Sequence, residues 1–209
     1  IGPGKGAIVD PADGRIPYTP AAAAKAKDLG TNHMYMEPEA HCYMSGVPHS
    51  AYQQFGYQIL QTPGYFVFLT EYAHSYRIVP TDGRAHIPAN IKLFMGDSVG
   101  KWEGDTLVID TTNQNGKTWF DMAGNFTTEA IHVTERLTAV DSNLINYEAV
   151  VTDPTIYTQP WKIAGQLSRH PDQSMELMEF ACQEGNIDLP HYPEGEGGTA
   201  KEKGTSRVP

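Results

Sequence analysis

The chain has 209 residues, and its 25 acidic side chains against 15 Lys and Arg give a formal net charge of −10. Nucleic-acid binding needs cations that replace phosphate counterions, so this charge argues against that class of protein. The longest apolar run, residues 65–69, is far shorter than a membrane-spanning helix, and we therefore predict no membrane span.

Length and composition together predict one domain of a β-rich class. A chain of this length can bury a hydrophobic core of useful size. The 20 glycines and 15 prolines are numerous, and residues that favour strands are common between them. Helical proteins rarely have such a composition.

Residues 1–56 predict an irregular N-terminal arm that contains one short helix. Thr19 is a suitable N-cap, Pro20 suits the first helical position, and a run of alanines follows. Gly30 is the expected end of this helix. Because the segment carries few large apolar side chains, we expect it to lie on the surface.

Residues 57–184 predict an antiparallel meander of about eight or nine strands joined by tight turns. The clearest hairpin turns at residues 103–105, where Gly104 is expected to take a positive φ. The connections leave no room for crossover helices, which excludes parallel α/β folds. The predicted strands are 57–62, 65–72, 76–80, 98–102, 106–111, 131–140, 144–152, 161–167 and 175–182.

Closure of this meander would remove its two exposed edges. We therefore predict an all-β fold, with a calycin-like up-and-down β-barrel as the first architecture and a two-sheet β-sandwich as the alternative. Residues 185–209 are rich in Glu, Lys and Gly and cannot bury a core, so we expect a surface tail.

Strand alternation divides residues 131–140 into two faces. Val133, Glu135 and Leu137 share one face, and His132 and Thr134 lie on the other. Polar faces of this kind are typical of the solvent-exposed side of antiparallel sheets.

The densest group of potential acids, bases and cations lies between residues 71 and 86. A histidine that is oriented by a carboxylate, with an arginine that binds an anionic or carbonyl oxygen, is competent for proton transfer. Gathered at a barrel mouth, these side chains would form an acid–base site. The predicted catalytic residues are Glu71, His74, Arg77 and His86.

Two further kinds of site have less support. Residues 96–100 match the G-x-S-x-G pattern around Ser98, but a nucleophile elbow needs a helix after the turn and a β-hairpin follows here. His74, His86 and His132 could bind zinc or iron, although no short ligand spacing supports this. We predict no cofactor and keep a divalent metal at these histidines as an alternative.

Cys42 and Cys182 are the two cysteines of the chain. One interpretation is a disulfide formed in an oxidising compartment, and the other is two unrelated buried thiols. The absence of a C-x-x-C spacing argues against the usual zinc and redox sites. We favour the disulfide.

A signature in the middle of the chain resembles a family of exported bacterial proteins. It reads D-G-R at 82–84 and G-D-S-V-G-K-W-E-G-D-T-L at 96–107, and the resemblance extends over roughly residues 55–185. It implies a periplasmic or secreted β-rich protein, in which the two cysteines are also common. It transfers no catalytic residue.

Three functions remain open. The first is an exported barrel that binds or transforms a small organic molecule by acid–base chemistry of the lyase, isomerase or hydrolase type. The second is a non-catalytic, lipocalin-like carrier, and the third is a structural subunit of an extracellular assembly or filament that self-associates through its termini. In the first two, the aromatic residues expected to line the cavity are Tyr65, Phe66, Phe68 and Trp102.

Overall fold

The computed structural model describes residues 7–172 and 174–184, which form an antiparallel β-fold with one α-helix. The predicted all-β class is confirmed. Within these residues, no helix has the length and apolar character that crossing a membrane requires. The elements are β1 (Ile8–Asp10), α1 (Pro20–Asn32), β2 (Tyr57–Thr62), β3 (Tyr65–Thr70), β4 (Tyr76–Pro80), β5 (Asp97–Glu103), β6 (Thr106–Thr112), β7 (His132–Asp141), β8 (Leu144–Thr152) and β9 (Trp161–Ser168).

The strands form two sheets, so the predicted barrel is wrong and the alternative sandwich describes the fold. One sheet has six strands in the order β1-β9-β8-β7-β6-β5, and the other has three in the order β2-β3-β4. The described residues contain no backbone ladder between β4 and β5. Val79 of β4 instead packs over Gly100 of β5, where an added Cβ would lie 2.9 Å from Val79 Cγ1. Because β4 contacts β5 through side chains, the meander does not close.

The hydrophobic core lies between the two sheets. Alternate residues of each strand point into it, as the period of two requires. The three-stranded sheet contributes Phe66, Phe68 and Val79. The six-stranded sheet contributes Leu107, Ile109, Val133, Leu137, Tyr147, Ala149, Val151, Trp161 and Ile163.

Helix α1 begins as predicted but ends later, and it packs one face against the core. Thr19 is the N-cap, and its hydroxyl accepts from the Ala22 amide at 3.4 Å. Gly30 lies inside the helix at a position that requires glycine, because a Cβ there would meet the carbonyl oxygen of Ala123 at 2.2 Å. Ala22, Ala26 and Leu29 are buried against the core, whereas nine of the thirteen helix residues are exposed, so the helix lies on the surface with one face buried. The small alanines allow this close approach.

A disulfide joins the segment after helix α1 to the C-terminal segment of the described chain. Cys42 and Cys182 are bonded, with their Cα atoms 5.7 Å apart, which confirms the predicted pairing. The predicted strand 175–182 is wrong, since this segment is irregular. Its Phe180 ring packs against Phe55 at 4.8 Å and Tyr72 at 5.2 Å between centroids. The predicted tail, residues 185–209, lies outside the described residues.

Candidate functional site

The four predicted catalytic side chains lie in three separate places. Arg77 points inward from β4, Glu71 and His74 lie in the connection between β3 and β4, and His86 lies between β4 and β5. The Glu71 carboxylate accepts from the Gly56 amide at 3.2 Å, and His74 is exposed. No hydrogen bond between side chains and no ion pair joins any two of the four in the described residues. They do not form one site at a barrel mouth.

Arg77 is the centre of a buried network between the sheets, here called the inner network. Its guanidinium forms a bidentate ion pair with Glu135, with Nη1 3.1 Å from Oε1 and Nη2 on Oε2. It also donates to the hydroxyls of Ser98 at 2.8 Å and Thr111 at 2.7 Å. Tyr147 donates to Glu135 Oε1 at 2.9 Å. Each of these five side chains is 5% exposed or less.

The inner network is closed to any ligand from solvent. All three guanidinium nitrogens and both Glu135 oxygens already have partners, as buried charges require. Burial raises the pKa of Tyr147, and the Glu135 carboxylate raises it further. Ser98 lies within strand β5 and is part of this network, which is not the strand–turn–helix setting of a nucleophile elbow. The arrangement is that of a structural element.

A second polar group, here called the outer cluster, lies on the opposite face of the six-stranded sheet. Three adjacent strands, β5, β6 and β7, each present one outward side chain to it. The loop 81–96, which connects β4 to β5, supplies the other two and brings them onto the sheet. Its members are Arg84, His86, Asp97, Asp110 and His132.

Two carboxylates organise the outer cluster. Asp97 accepts from Arg84 Nη2 at 2.9 Å and from His86 Nδ1 at 2.7 Å. Asp110 bridges the two histidines, 2.9 Å from His86 Nε2 and 2.6 Å from His132 Nε2. Each ring nitrogen of His86 therefore lies at hydrogen-bond distance from a different carboxylate. Partial burial raises the pKa of Asp110, but the hydrogen bonds from the two histidines outweigh it and hold that pKa below its usual value.

The outer cluster opens to solvent at one end. Asp97 is 7% exposed, whereas Asp110 is 38% and His132 is 44% exposed. His132 uses Nε2 on Asp110, and its Nδ1 has no hydrogen-bond partner in the described residues. A histidine oriented by a carboxylate with its second nitrogen accessible is the arrangement of a general base.

Sequence reasoning selected His86 and His132 but missed the carboxylates between them. The alternation that separated the faces of β7 also places Asp97 and Asp110 outward on β5 and β6. That signal was available in the hairpin. No signal in the sequence indicated the contact from Arg84 to Asp97, because local periodicity does not determine how a loop crosses a sheet.

The metal alternative receives no support from these positions. His86 and His132 share Asp110, whereas His74 lies in the connection between β3 and β4 and contacts neither. No group of three or more His, Cys, Asp or Glu side chains converges on a possible metal position in residues 7–172 and 174–184.

A third polar group is buried near the disulfide. Glu37 is 1% exposed and accepts from the Glu39 and Ala40 amides at 3.0 and 2.6 Å. Burial, reinforced by the charge of Glu37, raises the pKa of Glu39 to about 7. Burial lowers the pKa of His49 to about 4, so the 3.2 Å contact between His49 Nδ1 and Glu39 involves a neutral imidazole at neutral pH. The hydrogen bond of His49 Nδ1 is to the Trp119 carbonyl oxygen at 3.0 Å, so the contact with Glu39 is not an ion pair at neutral pH.

The outer face of the three-stranded sheet, here called the uncharged face, is apolar and exposed. Leu60 is 40%, Tyr65 46%, Tyr76 64% and Ile78 48% exposed. In the ladder, Leu60, Val67 and Ile78 form one continuous row. None of the outward positions carries a charged side chain. These positions are Gln58, Leu60, Thr62, Tyr65, Val67, Leu69, Tyr76, Ile78 and Pro80.

The aromatic residues expected to line a cavity do not do so together. Phe66 and Phe68 are buried in the core, at 6% and 7% exposure, and Tyr65 lies on the uncharged face. Trp102 is 45% exposed, with a shallow depression on either side of it at one end of the sandwich.

No known protein family, curated protein or solved structure matches this chain.

Proposed function

We propose that the protein is a structural subunit of a periplasmic or extracellular assembly, and that it binds further copies of itself through the uncharged face. The observation that carries this proposal is a continuous, exposed and charge-free apolar surface on a chain with a net charge of −10. The Cys42–Cys182 disulfide fits an oxidising compartment, as does the resemblance to exported proteins.

Charge distribution favours a second copy as the occupant of this face. Two chains of net charge −10 repel each other wherever their acidic surfaces approach. Charged residues make up 19% of the chain, yet none lies on the uncharged face. When two copies meet through the uncharged face, no charged side chains of the same sign lie opposite each other.

The area of the uncharged face also suits self-association. The exposed parts of Leu60, Tyr65, Tyr76 and Ile78 amount to on the order of 400 Å², given that an aromatic side chain alone can bury 150–250 Å². The largest apolar patch on a monomer is typically about 300–600 Å² and is often functional. With Val67, Leu69 and the polar neighbours, the face approaches the roughly 800 Å² that each partner buries in a standard interface.

The edge of strand β2 supplies a second contact. In the described residues, β2 pairs with β3 alone, so its other edge is open. Its sequence, YQILQT, holds none of the charges or prolines with which natural edge strands prevent pairing. A face contact and an edge contact on the same small sheet would alternate to build an open polymer.

The termini were the predicted route of association, and they remain a prediction. Residues 1–6 and 185–209 lie outside the described residues. The proposal therefore depends on the three-stranded sheet alone.

The test compares the association state of matched variants. The purified chain is expected to form dimers or larger species in light scattering after size exclusion, and Ile78→Asp is expected to weaken association by at least about tenfold in sedimentation equilibrium. Val140→Asp is the control, because Val140 is 52% exposed on β7 outside the uncharged face. Electron microscopy of the same sample separates closed dimers from filaments.

A monomeric wild-type chain at every concentration tested would rule out the proposal. So would equal weakening by Ile78→Asp and Val140→Asp, because the uncharged face would then have no special role.

A second candidate function is proton transfer at the outer cluster, favoured by His132, whose side chain is 44% exposed and whose Nδ1 has no hydrogen-bond partner in the described residues. Hydrolysis of p-nitrophenyl acetate is a suitable probe, with His132→Gln expected to remove the protein-dependent rate. His33→Gln is the control at another partly exposed histidine. Equal rates for all three proteins would remove this candidate. We do not propose a lipocalin-like carrier, since the inner network and the core aromatics occupy the region between the sheets.

A further inference from the structure

Trp102 lies at one end of the sandwich, where the two sheets separate. It follows Ser98 and Gly100 on the inward face of β5, yet it is 45% exposed. Its ring packs edge-on against Phe66, with centroids 6.4 Å apart and planes inclined by 68°. The indole is therefore fixed from one side and open on the other.

Two shallow depressions flank this ring and form what we call the end cleft. Their volumes are about 580 and 570 Å³, and Gln61 and Trp102 belong to both. Ligand sites typically have volumes of about 300–1,000 Å³. The first depression is completed by Gly104, Asp105 and Ala139, and the second by Thr62, Pro63, Gly64 and Thr81.

We propose that the end cleft binds a neutral oligosaccharide or polysaccharide chain, with one sugar unit on either side of Trp102. The C–H face of a pyranose ring is apolar and stacks on an aromatic ring, while its hydroxyls need donors and acceptors around the edge. Trp102 supplies the platform. The Gln61 amide, the Thr62 and Thr81 hydroxyls and the Asp105 carboxylate supply the hydrogen-bonding groups.

The lining also selects against other ligands. It contains no Lys, Arg or His, so an anionic ligand would meet the Asp105 carboxylate without a compensating cation. Proline-rich peptides dock in grooves lined by several aromatic rings, and Trp102 is the single aromatic residue in this lining. The openness of the cleft suits an extended chain that enters and leaves along the surface.

The end cleft shares Thr62 with the uncharged face and Gln61 with strand β2, but its central residue, Trp102, lies on β5 of the other sheet. Tyr76 and Ile78, the two most exposed large apolar residues of that face, do not line the cleft. Saccharide binding and self-association can therefore fail separately.

The fluorescence of the chain gives a direct readout. Trp119 and Trp161 are 8% and 1% exposed, so a collisional quencher such as acrylamide mainly reaches Trp102. The probes are neutral linear oligosaccharides of glucose, xylose, mannose and N-acetylglucosamine. At least one series is expected to protect Trp102 from quenching and to give a saturable isotherm in titration calorimetry.

Variants then locate the binding. Trp102→Ala is expected to lower the affinity by at least about tenfold, and Trp102→Tyr to retain most of it. Tyr76→Ala is the control, because Tyr76 is an aromatic residue of even greater exposure outside the cleft. Asp105→Ala, in the exposed turn between β5 and β6, tests the cleft without touching the aromatic packing.

Three results would overturn the proposal. These are an absence of protection with all four sugar series, an equal loss of affinity in Tyr76→Ala and Trp102→Ala, or unchanged affinity in Trp102→Ala and Asp105→Ala together. Protection by a polyproline peptide but by no saccharide would assign the cleft to a different ligand.

Discussion

The six-stranded sheet carries a polar group on each of its two faces, and the two differ in their access to water. In the inner network, Arg77 and Glu135 are 5% and 0% exposed. In the outer cluster, Asp110 and His132 are 38% and 44% exposed. Both are built from carboxylates and cations at hydrogen-bond distance.

The difference shows that one step along a strand decides the role of a polar side chain. Asp110 and Thr111 are neighbours on β6, but Asp110 joins the outer cluster and Thr111 joins the inner network. In the buried pair of Arg77 and Glu135, every hydrogen-bonding atom already has a partner, and the pair joins the two sheets. In the outer cluster, the Nδ1 atom of His132 has no hydrogen-bond partner in the described residues and is left for exchange with solvent.

The largest expected effect comes from breaking the inner pair. Glu135→Ala leaves the Arg77 guanidinium buried without its counter-charge, and breaking such a pair typically costs about 3–5 kcal/mol. The measurement is the free energy of unfolding from chemical denaturation, followed by both fluorescence and circular dichroism.

The double variant Arg77→Met with Glu135→Leu is the control. Because it removes both charges, it is expected to regain most of the lost stability. A Glu135→Ala protein as stable as the wild type would show that water reaches Arg77, which would end the contrast between the two faces.

A smaller effect is expected at the buried end of the outer cluster. Asp97→Ala removes the acceptor for Arg84, His86 and the Ile87 amide, and hydrogen bonds to charged groups contribute about 1.5–3 kcal/mol. We expect faster hydrogen exchange in the loop 81–96 together with lower stability. Asp105→Ala, in an exposed turn, should change neither quantity.

Glu39, a partly buried carboxylate without a paired cation, offers a further test of how burial affects a charged group. The pKa of Glu39 is raised from 4.5 to about 7, so its folded-state penalty grows as pH rises between these values and is complete above them. Glu39→Gln should therefore stabilise the protein by about 1–2 kcal/mol at pH 8, with little change at pH 4.

His49 provides the internal reference for that experiment. Its pKa is lowered from 6.5 to about 4, so the stability from its neutral form is present above 6.5 and is lost as pH falls towards 4. This loss should persist in Glu39→Gln. If thermal melts show the same stability change at pH 4 and pH 8, Glu39 has an ordinary pKa.

The smallest effect is expected from the surface pair beside Glu135. Arg136 follows Glu135 on β7 but points outward, where Nη1 lies 3.0 Å from Glu103 Oε2. Exposed pairs of this kind contribute little because water screens them. Arg136→Ala should leave the unfolding midpoint unchanged. A loss of stability comparable to that of Glu135→Ala would mean that burial does not decide how much an ion pair on β7 contributes to stability.

Local signals in the sequence predicted much of the sheet. The bounds of Tyr57–Thr62, Tyr76–Pro80 and Leu144–Thr152 were predicted correctly, because turn residues and alternation mark them directly. Alternation also placed Glu135 on the same face of its strand as Val133 and Leu137. These features depend on neighbours in the chain.

Features that depend on distant contacts were missed. Gly30 packs against the Ala123 carbonyl from inside the helix, and no local rule reveals that contact. The ion pair between Arg77 and Glu135 spans 58 positions, so the sequence did not reveal that Arg77 is buried, and Arg77 was predicted as a catalytic residue without that information. The open sandwich arises in the same way, from the packing of Val79 on Gly100.

The disulfide also determines how the chain would carry tension. Cys42 and Cys182 are 140 positions apart, and strands β2 to β9 all lie between them. A pulling force applied at the two chain ends would first unravel β1 and α1 and would then pass through the sulfur atoms. Eight strands would bear no load until that covalent bond was reduced.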